Sequence, residues 1–140
     1  MSDEHNNEPR EVGYNKKHKE TFKEWTKKES SSIFAGATQA DLFFFAMSVG
    51  FNRNKSSLVK NKANDVPVNV LSEAQKWGIL STEIAKNNDL LVLKDEKLIY
   101  SQAEKYVEEG INILKSHIEK HGLNYPKNLE VELKELLAKK

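Results

Sequence analysis

The chain has 140 residues, a length that fits one domain and can bury one hydrophobic core. Its 22 Lys and Arg against 21 Asp and Glu leave a formal net charge of +1, so no global field steers it toward nucleic acid or a membrane. With no Cys, a disulfide scaffold, a zinc ribbon and a thiol nucleophile are excluded together, and the longest apolar run, Leu42–Met47, is far below the ~18 residues of a membrane span.

In chain order, Met1–Gly13 carries Asp3, Glu4, Glu8 and Glu11 and little that is apolar beyond Val12. Such a segment cannot offset its ordering entropy, so a mobile tail is expected over residues 1–13. It has no apolar core of a secretory signal, which leads us to expect a soluble cytoplasmic protein. Residues 14–140 are expected to form a single helical domain. Tyr14, His18, Phe22 and Trp25 recur at spacings of four, four and three, which predicts an outer helix over Tyr14–Lys28 with these residues on one face. The polar break Glu29–Ser32 follows.

Thr38 is a natural N-cap, Asp41 stands three residues on, and Gly50 is placed as a C-cap. Between them Leu42, Phe43, Phe44, Phe45, Ala46, Met47 and Val49 leave scarcely any polar face, which predicts a central, buried helix. The Phe43–Phe45 run therefore reads as core rather than a base-stacking platform. Asn52–Asp65 is polar and reads as a long loop. Val66, Val68 and Val70 alternate with Pro67 and Asn69, a short extended segment able to pair. Ser72 caps a helix to about Lys86 with Ala74, Trp77, Leu80 and Ile84 on its stripe, weakened by Gly78.

Asn87–Asp89 is a turn, and Leu90–Leu93 leads into the longest helix, from near Asp95 to Gly122, with Ser101 and Glu104, at capping-box spacing, as an alternative start. Ile99, Ala103, Tyr106, Val107, Gly110, Ile111, Leu114 and Ile118 follow helical spacing, and Gly110 on that stripe would let another helix approach. A last helix is expected from Pro126, with Leu129, Leu133, Leu136 and Leu137 inward. The fold class expected is all-α: a single domain of about five helices around a central apolar helix.

Arg53, Lys55, Lys60 and Lys62 stand in Asn52–Asn64 with no acid until Asp65. Interleaved with Asn and Ser donors, they suit phosphate contacts, although runs of cations most often only solvate a surface. Lys16, Lys17, Lys19, Lys23, Lys27 and Lys28 outnumber Glu20 and Glu24 in the segment before, and would extend a positive stripe if the two share a face. His117 and His121 share one helix side, but Ile118 stands where a catalytic zinc helix needs Glu; placement near a helix end accounts for them, and no metal or cofactor is expected. Glu108 and Glu109 read as solvated. There is no P-loop, dinucleotide fingerprint or nucleophile elbow, so no enzyme is expected.

Leu42–Phe51 (LFFFAMSVGF), the loop through Leu58-Val59-Lys60-Asn61-Lys62, and Tyr106–Leu114 (YVEEGINIL) occur in a familiar order. Together they resemble a family of small proteins associated with dnd systems, the bacterial and archaeal DNA phosphorothioation and restriction loci. In that family a Gly-aromatic pair ends the apolar helix, as Gly50-Phe51 does. A basic Leu-x-Gly-Lys-like loop follows, with Asn61 here near the Gly, and then a Tyr-Ala-x-Gly-Gly-Leu-like helix, with Glu109 in place of the first Gly. The resemblance implies a cytoplasmic accessory of a DNA-modification or phage-defence locus, with no catalytic site to carry over. It favours DNA as a partner, contacted through Arg53, Lys55, Lys60 and Lys62 and assisted by Lys23, Lys27 and Lys28, with proteins of the same locus as further partners. The alternative is an interaction module without nucleic acid, in which the long helix and Leu129–Leu137 present apolar residues to a partner or a second copy.

Overall fold

The computed structural model describes residues 8–29, 34–88 and 95–121, with side chains through residue 118. Strand β1 (Glu11–Asn15) leads through a 3-10 turn (Lys16–His18) into helix α1 (Lys19–Thr26). Helix α2 (Gln39–Asn52), strand β2 (Lys62–Pro67), a second 3-10 turn (Val68–Val70), α3 (Glu73–Asn87) and α4 (Glu96–His121) follow.

Local chemistry sets the helix starts. Thr38 and Asp41 close a capping box on α2, and Ser72 with Gln75 closes another on α3. The two helix starts touch, because the Gln75 amide donates to Asp41 Oδ1 at 2.9 Å. That bond, with the capping contacts, holds the Asp41 carboxyl below its ordinary pKa of 3.8. Asp95 Oδ1 accepts from the Leu98 amide at 3.2 Å and opens α4.

The core is the packing of α2 on α4. Leu42, Phe43, Ala46 and Met47 of α2 and Tyr106, Val107, Ile111 and Leu114 of α4 are all buried in one cluster. The two backbones meet directly. A Cβ on Gly110 would collide with the Ala46 carbonyl, and one on Gly50 with the Tyr106 carbonyl. Phe51 then stands edge-on to Tyr106, with ring centroids 5.5 Å apart. Gly110 thus receives a second helix, as its place on the stripe predicts.

The fold is mostly helical but not all-α. β1 and β2 pair antiparallel, Val12 opposite Val66 and Tyr14 opposite Ala63, with a bulge between that sets Asn64 and Asp65 against Gly13. The strand begins at Glu11, inside the segment expected to be a mobile tail, and Val12 and Tyr14 are 1 % exposed. Residues 1–7 lie outside the described residues. Tyr14–Lys28 is likewise not one helix, since strand pairing takes Tyr14 and the helix starts only at Lys19. Tyr14, His18 and Phe22 still point inward, Tyr14 stacking on Phe22 at 3.8 Å.

Two further expectations are corrected. Gly50 does not cap α2, which runs on to Asn52; Asn54, at φ 54°, takes that role. The inward stripe of α3 is Ile79, Leu80 and Thr82, while Ala74 is exposed and Trp77 is 59 % exposed. Gly78 makes room for the Phe44 ring, which would lie 2.7 Å from a Cβ there. The helix expected from Pro126, the segment Leu90–Leu93 and the break at 30–32 lie outside the described residues.

Gly110→Ala tests the central contact. In an exposed helix the change would gain ~1 kcal/mol of propensity. Here the Ala46 backbone blocks the methyl, and overpacking should cost about 1–3 kcal/mol or more. Urea unfolding should show a lower midpoint, and a midpoint at or above wild type would refute the close approach.

Candidate nucleic-acid interface

The loop from Arg53 to Asn61 joins α2 to β2 and is fixed at both ends and in the middle. After α2, Asn54 N–H donates to Phe51 O at 3.0 Å and Lys55 N–H to Gly50 O at 2.9 Å, the Schellman pattern with Asn in the left-handed position. Midway, Ser57 N–H donates to the Lys105 carbonyl of α4 at 3.2 Å, and Ser57 Oγ donates to Glu109 Oε2 at 2.8 Å. At the far end the Lys16 amide donates to Asn61 O at 3.0 Å. Asn61 sits at φ 50°, a conformation Gly and Asn adopt with least strain.

On this frame Arg53, Lys55 and Lys60 are exposed and pair with no carboxylate among the described residues. Lys62 differs. It lies in β2 rather than the loop, and its ammonium donates to both oxygens of Glu104, at 3.2 and 3.1 Å. Lys23, Lys27 and Lys28 belong to α1 and the turn after it, and α1 packs on α2. Among the described residues no hydrogen bond or ion pair joins them to the loop, and Lys27 is held by Glu24 at 2.8 Å, which raises its pKa. The structure instead brings Lys16 to the loop's far end.

Glu104 and Glu108, one turn apart on α4, are each 5 % exposed, so Glu108 is not the solvated acid that its sequence neighbourhood suggests. Glu104 Oε2 accepts from the Gly13 amide at 2.7 Å, a donor that the bulge releases from the ladder. Burial still dominates and raises the Glu104 pKa above 4.5, against the opposing pull of Gly13 and Lys62. Glu108 Oε2 lies 3.3 Å from both Lys17 Nζ and His18 Nε2. Lys115 Nζ donates to His18 Nδ1 at 2.9 Å; an ammonium has only donors, so the ring proton sits on Nε2, facing Glu108. Burial and the nearby Lys115 lower the His18 pKa below 6.5. Half-buried Lys115 and buried, neutral His18 and Glu108 thus form a relay that joins the turn after β1 to α4.

Among the described residues no group of three His, Asp or Glu has the arrangement of a metal site; the side chain of His121 lies outside them. None of their helices is long and apolar enough to cross a membrane. Fold and loop together define a small helical protein with a two-stranded sheet that presents a pinned, cationic loop. The chain belongs to the family described as DNA sulphur modification system-associated protein 4, whose profile matches residues 11–140. No curated protein and no solved structure matches it.

The family resemblance takes on a physical meaning here. Gly50 and Phe51 press on Tyr106, Gly110 receives Ala46, Glu109 accepts from Ser57, and Asn61 makes the turn that Gly would make. Sequence reasoning missed Glu104, Glu108, Lys105, Lys115 and the placement of Lys16 and Lys17. One signal was present: Tyr100, Glu104 and Glu108 form an i, i+4 row directly beside the apolar stripe of α4.

The relay makes stability depend on pH in a defined direction. Because the His18 pKa is lowered, its contribution is complete above pH 6.5 and is lost as pH falls through the folded value. Glu104, with a raised pKa, acts oppositely: its contribution is complete below pH 4.5 and is lost as pH rises through the folded value. Urea midpoints should fall on acidification below pH 6.5, and His18→Gln should flatten that fall; an unchanged profile would remove His18 as its source. Glu104→Gln keeps an acceptor for Gly13 and should alter stability at pH 7 by at most about 1 kcal/mol. Glu104→Ala strands the buried amide and should cost about 1–3 kcal/mol. Equal losses in the two variants would refute this role for Gly13.

Proposed function

We propose that this chain is a non-catalytic accessory protein of a DNA sulphur modification system that contacts DNA phosphates through Arg53, Lys55 and Lys60. The observation that carries the reading is the pinned loop itself. Three exposed cations without carboxylate partners among the described residues stand on a backbone fixed at Asn54, Ser57 and Asn61. A phosphate contact needs positive charge held in place and no special side-chain chemistry. Lys16, beside Asn61, extends the surface. Lys62 contributes less, because Glu104 offsets its charge, and Lys23, Lys27 and Lys28, on α1 and the turn after it, are a secondary group. Association with the modification locus supports DNA as the polyanion.

Contacts of this kind position a protein without reading sequence, so binding should be weak and steeply dependent on salt. Fluorescence anisotropy of labelled duplex DNA over a salt series tests it. The triple variant Arg53→Ala, Lys55→Ala, Lys60→Ala should bind more weakly, with a log–log salt slope flattened by roughly 0.9 per lost contact. Equal binding by both proteins would move the contact to another surface, and no binding by wild type at low salt would end the DNA reading.

A protein-interaction module is the second reading. It is favoured by Trp77, which is 59 % exposed on α3 and lines a cleft with Leu80, Tyr100, Glu73 and Glu96. It would be supported by a specific partner from the locus whose binding Trp77→Ala abolishes, in a protein that shows no salt-dependent DNA binding.

A further inference from the structure

Leu58 stands in the middle of the cationic loop and is 70 % exposed, more than any other large apolar side chain among the described residues. A single exposed leucine needs no explanation by itself. This one differs in where it is held. The residue before it, Ser57, is fixed to α4 by two hydrogen bonds, and Asn61, three residues after it, is bonded to Lys16. Leu58 and the half-buried Val59 together line a cleft against Lys62, Ser101, Glu104 and Lys105 of β2 and α4, which leaves most of Leu58 open to solvent at its rim. Leu58 is therefore a mostly exposed apolar side chain on a loop backbone held on both sides by hydrogen bonds.

The exposed charged side chains that flank it on the loop are cations, and Glu104, the acid of its cleft, is buried and paired with Lys62. Lys55 stands three residues before it and Lys60 two after, both exposed and without a carboxylate partner among the described residues. An apolar side chain flanked by cations matches a groove of duplex DNA, whose floor is stacked bases and sugars and whose two rims are phosphates. The minor groove, about 6 Å wide, admits a loop side chain but not a helix. Aliphatic side chains in such loops act as wedges that partly unstack a base step.

Resting on the DNA reading above, we propose that Leu58 enters the minor groove of duplex DNA as an apolar wedge while Lys55 and Lys60 take the phosphates on its two rims. The contact adds a part of the binding that salt does not screen. It also makes the ligand a duplex with a deformable base step, rather than any polyanion.

The test uses the full chain, a fluorescein-labelled duplex in a salt series, and a second duplex carrying 2-aminopurine. Leu58 is mostly exposed, so Leu58→Ala should fold as wild type does, which circular dichroism checks. The variant should bind about tenfold more weakly at every salt concentration, because a buried leucine contact is lost. Its salt slope should be unchanged, in contrast to Lys60→Ala, which should flatten the slope. Wild type should brighten the 2-aminopurine duplex, Leu58→Ala should not, and Leu58→Met should restore most of both signals. Binding by Leu58→Ala within twofold of wild type, with the same 2-aminopurine signal, would overturn the wedge and leave the phosphate reading intact. Weaker binding with a proportionately flatter slope would also overturn it, since Leu58 would then only position the lysines. Absence of any binding by wild type would overturn both readings together.

Discussion

The contact on which the rest of the molecule depends is the approach of two helix backbones with no side chain between them. At Gly110 the carbonyl of Ala46 occupies the space of a Cβ, and at Gly50 the carbonyl of Tyr106 does the same. Packing at this distance brings Phe51 onto the face of Tyr106 and fixes where α2 can end. The Schellman turn at Asn54 then directs the chain back across α4, within reach of the Lys105 carbonyl and Glu109. The loop is ordered because the helices beneath it are close. A wider crossing would lift the end of α2 away from α4 and part Ser57 from both partners.

The same geometry accounts for the residues that tie the chain to its family. Gly50, Phe51, Tyr106 and Gly110 are far apart in sequence yet lie at one helix crossing. Asn61 and Glu109 replace the glycines expected there without contradicting the design. Asn tolerates the left-handed turn at 61, and the side chain at 109 is turned to use as an acceptor for Ser57. The resemblance therefore marks a way of building the loop, and the function carried by the loop is a separate question of charge and exposure.

Features governed by nearest neighbours could be read from sequence. The capping residues Thr38, Ser72 and Asp95, the stripe of α4 and the close approach at Gly110 all depend on spacing within a few turns. Features governed by distant partners could not. Glu11–Asn15 has too few apolar residues to announce a strand, and it becomes one only because Lys62–Pro67, some fifty residues on, offers a ladder. Trp77 looks like core on a helical wheel, but Gly78 admits Phe44 and rotates the buried face of α3 toward Ile79 and Leu80. Glu104 and Glu108 look like solvent-facing acids because charged residues are almost never buried unless paired, and their partners lie about ninety residues earlier or forty before. Of the candidate site, the exposure of Arg53, Lys55 and Lys60 was legible from their setting, whereas the pairing of Lys62 with Glu104 was not.

A chain with a net charge of +1 can still present a positive surface if its acids are placed elsewhere. Glu104 and Glu108 are turned inward, where they bind Gly13, Lys62, Lys17 and His18 and hold the segment after β1 and the start of β2 against α4. Neutral His18 lets the half-buried Lys115 and the buried Glu108 share one ring. Glu109, the next acid on α4, is taken up by Ser57. Glu109 thus helps to fix the loop's frame, and the charged side chains left facing solvent on the loop, Arg53, Lys55 and Lys60, are all cations. Burying the acids costs desolvation, as the raised Glu104 pKa records, and the gain is a cationic loop whose charges are not answered locally.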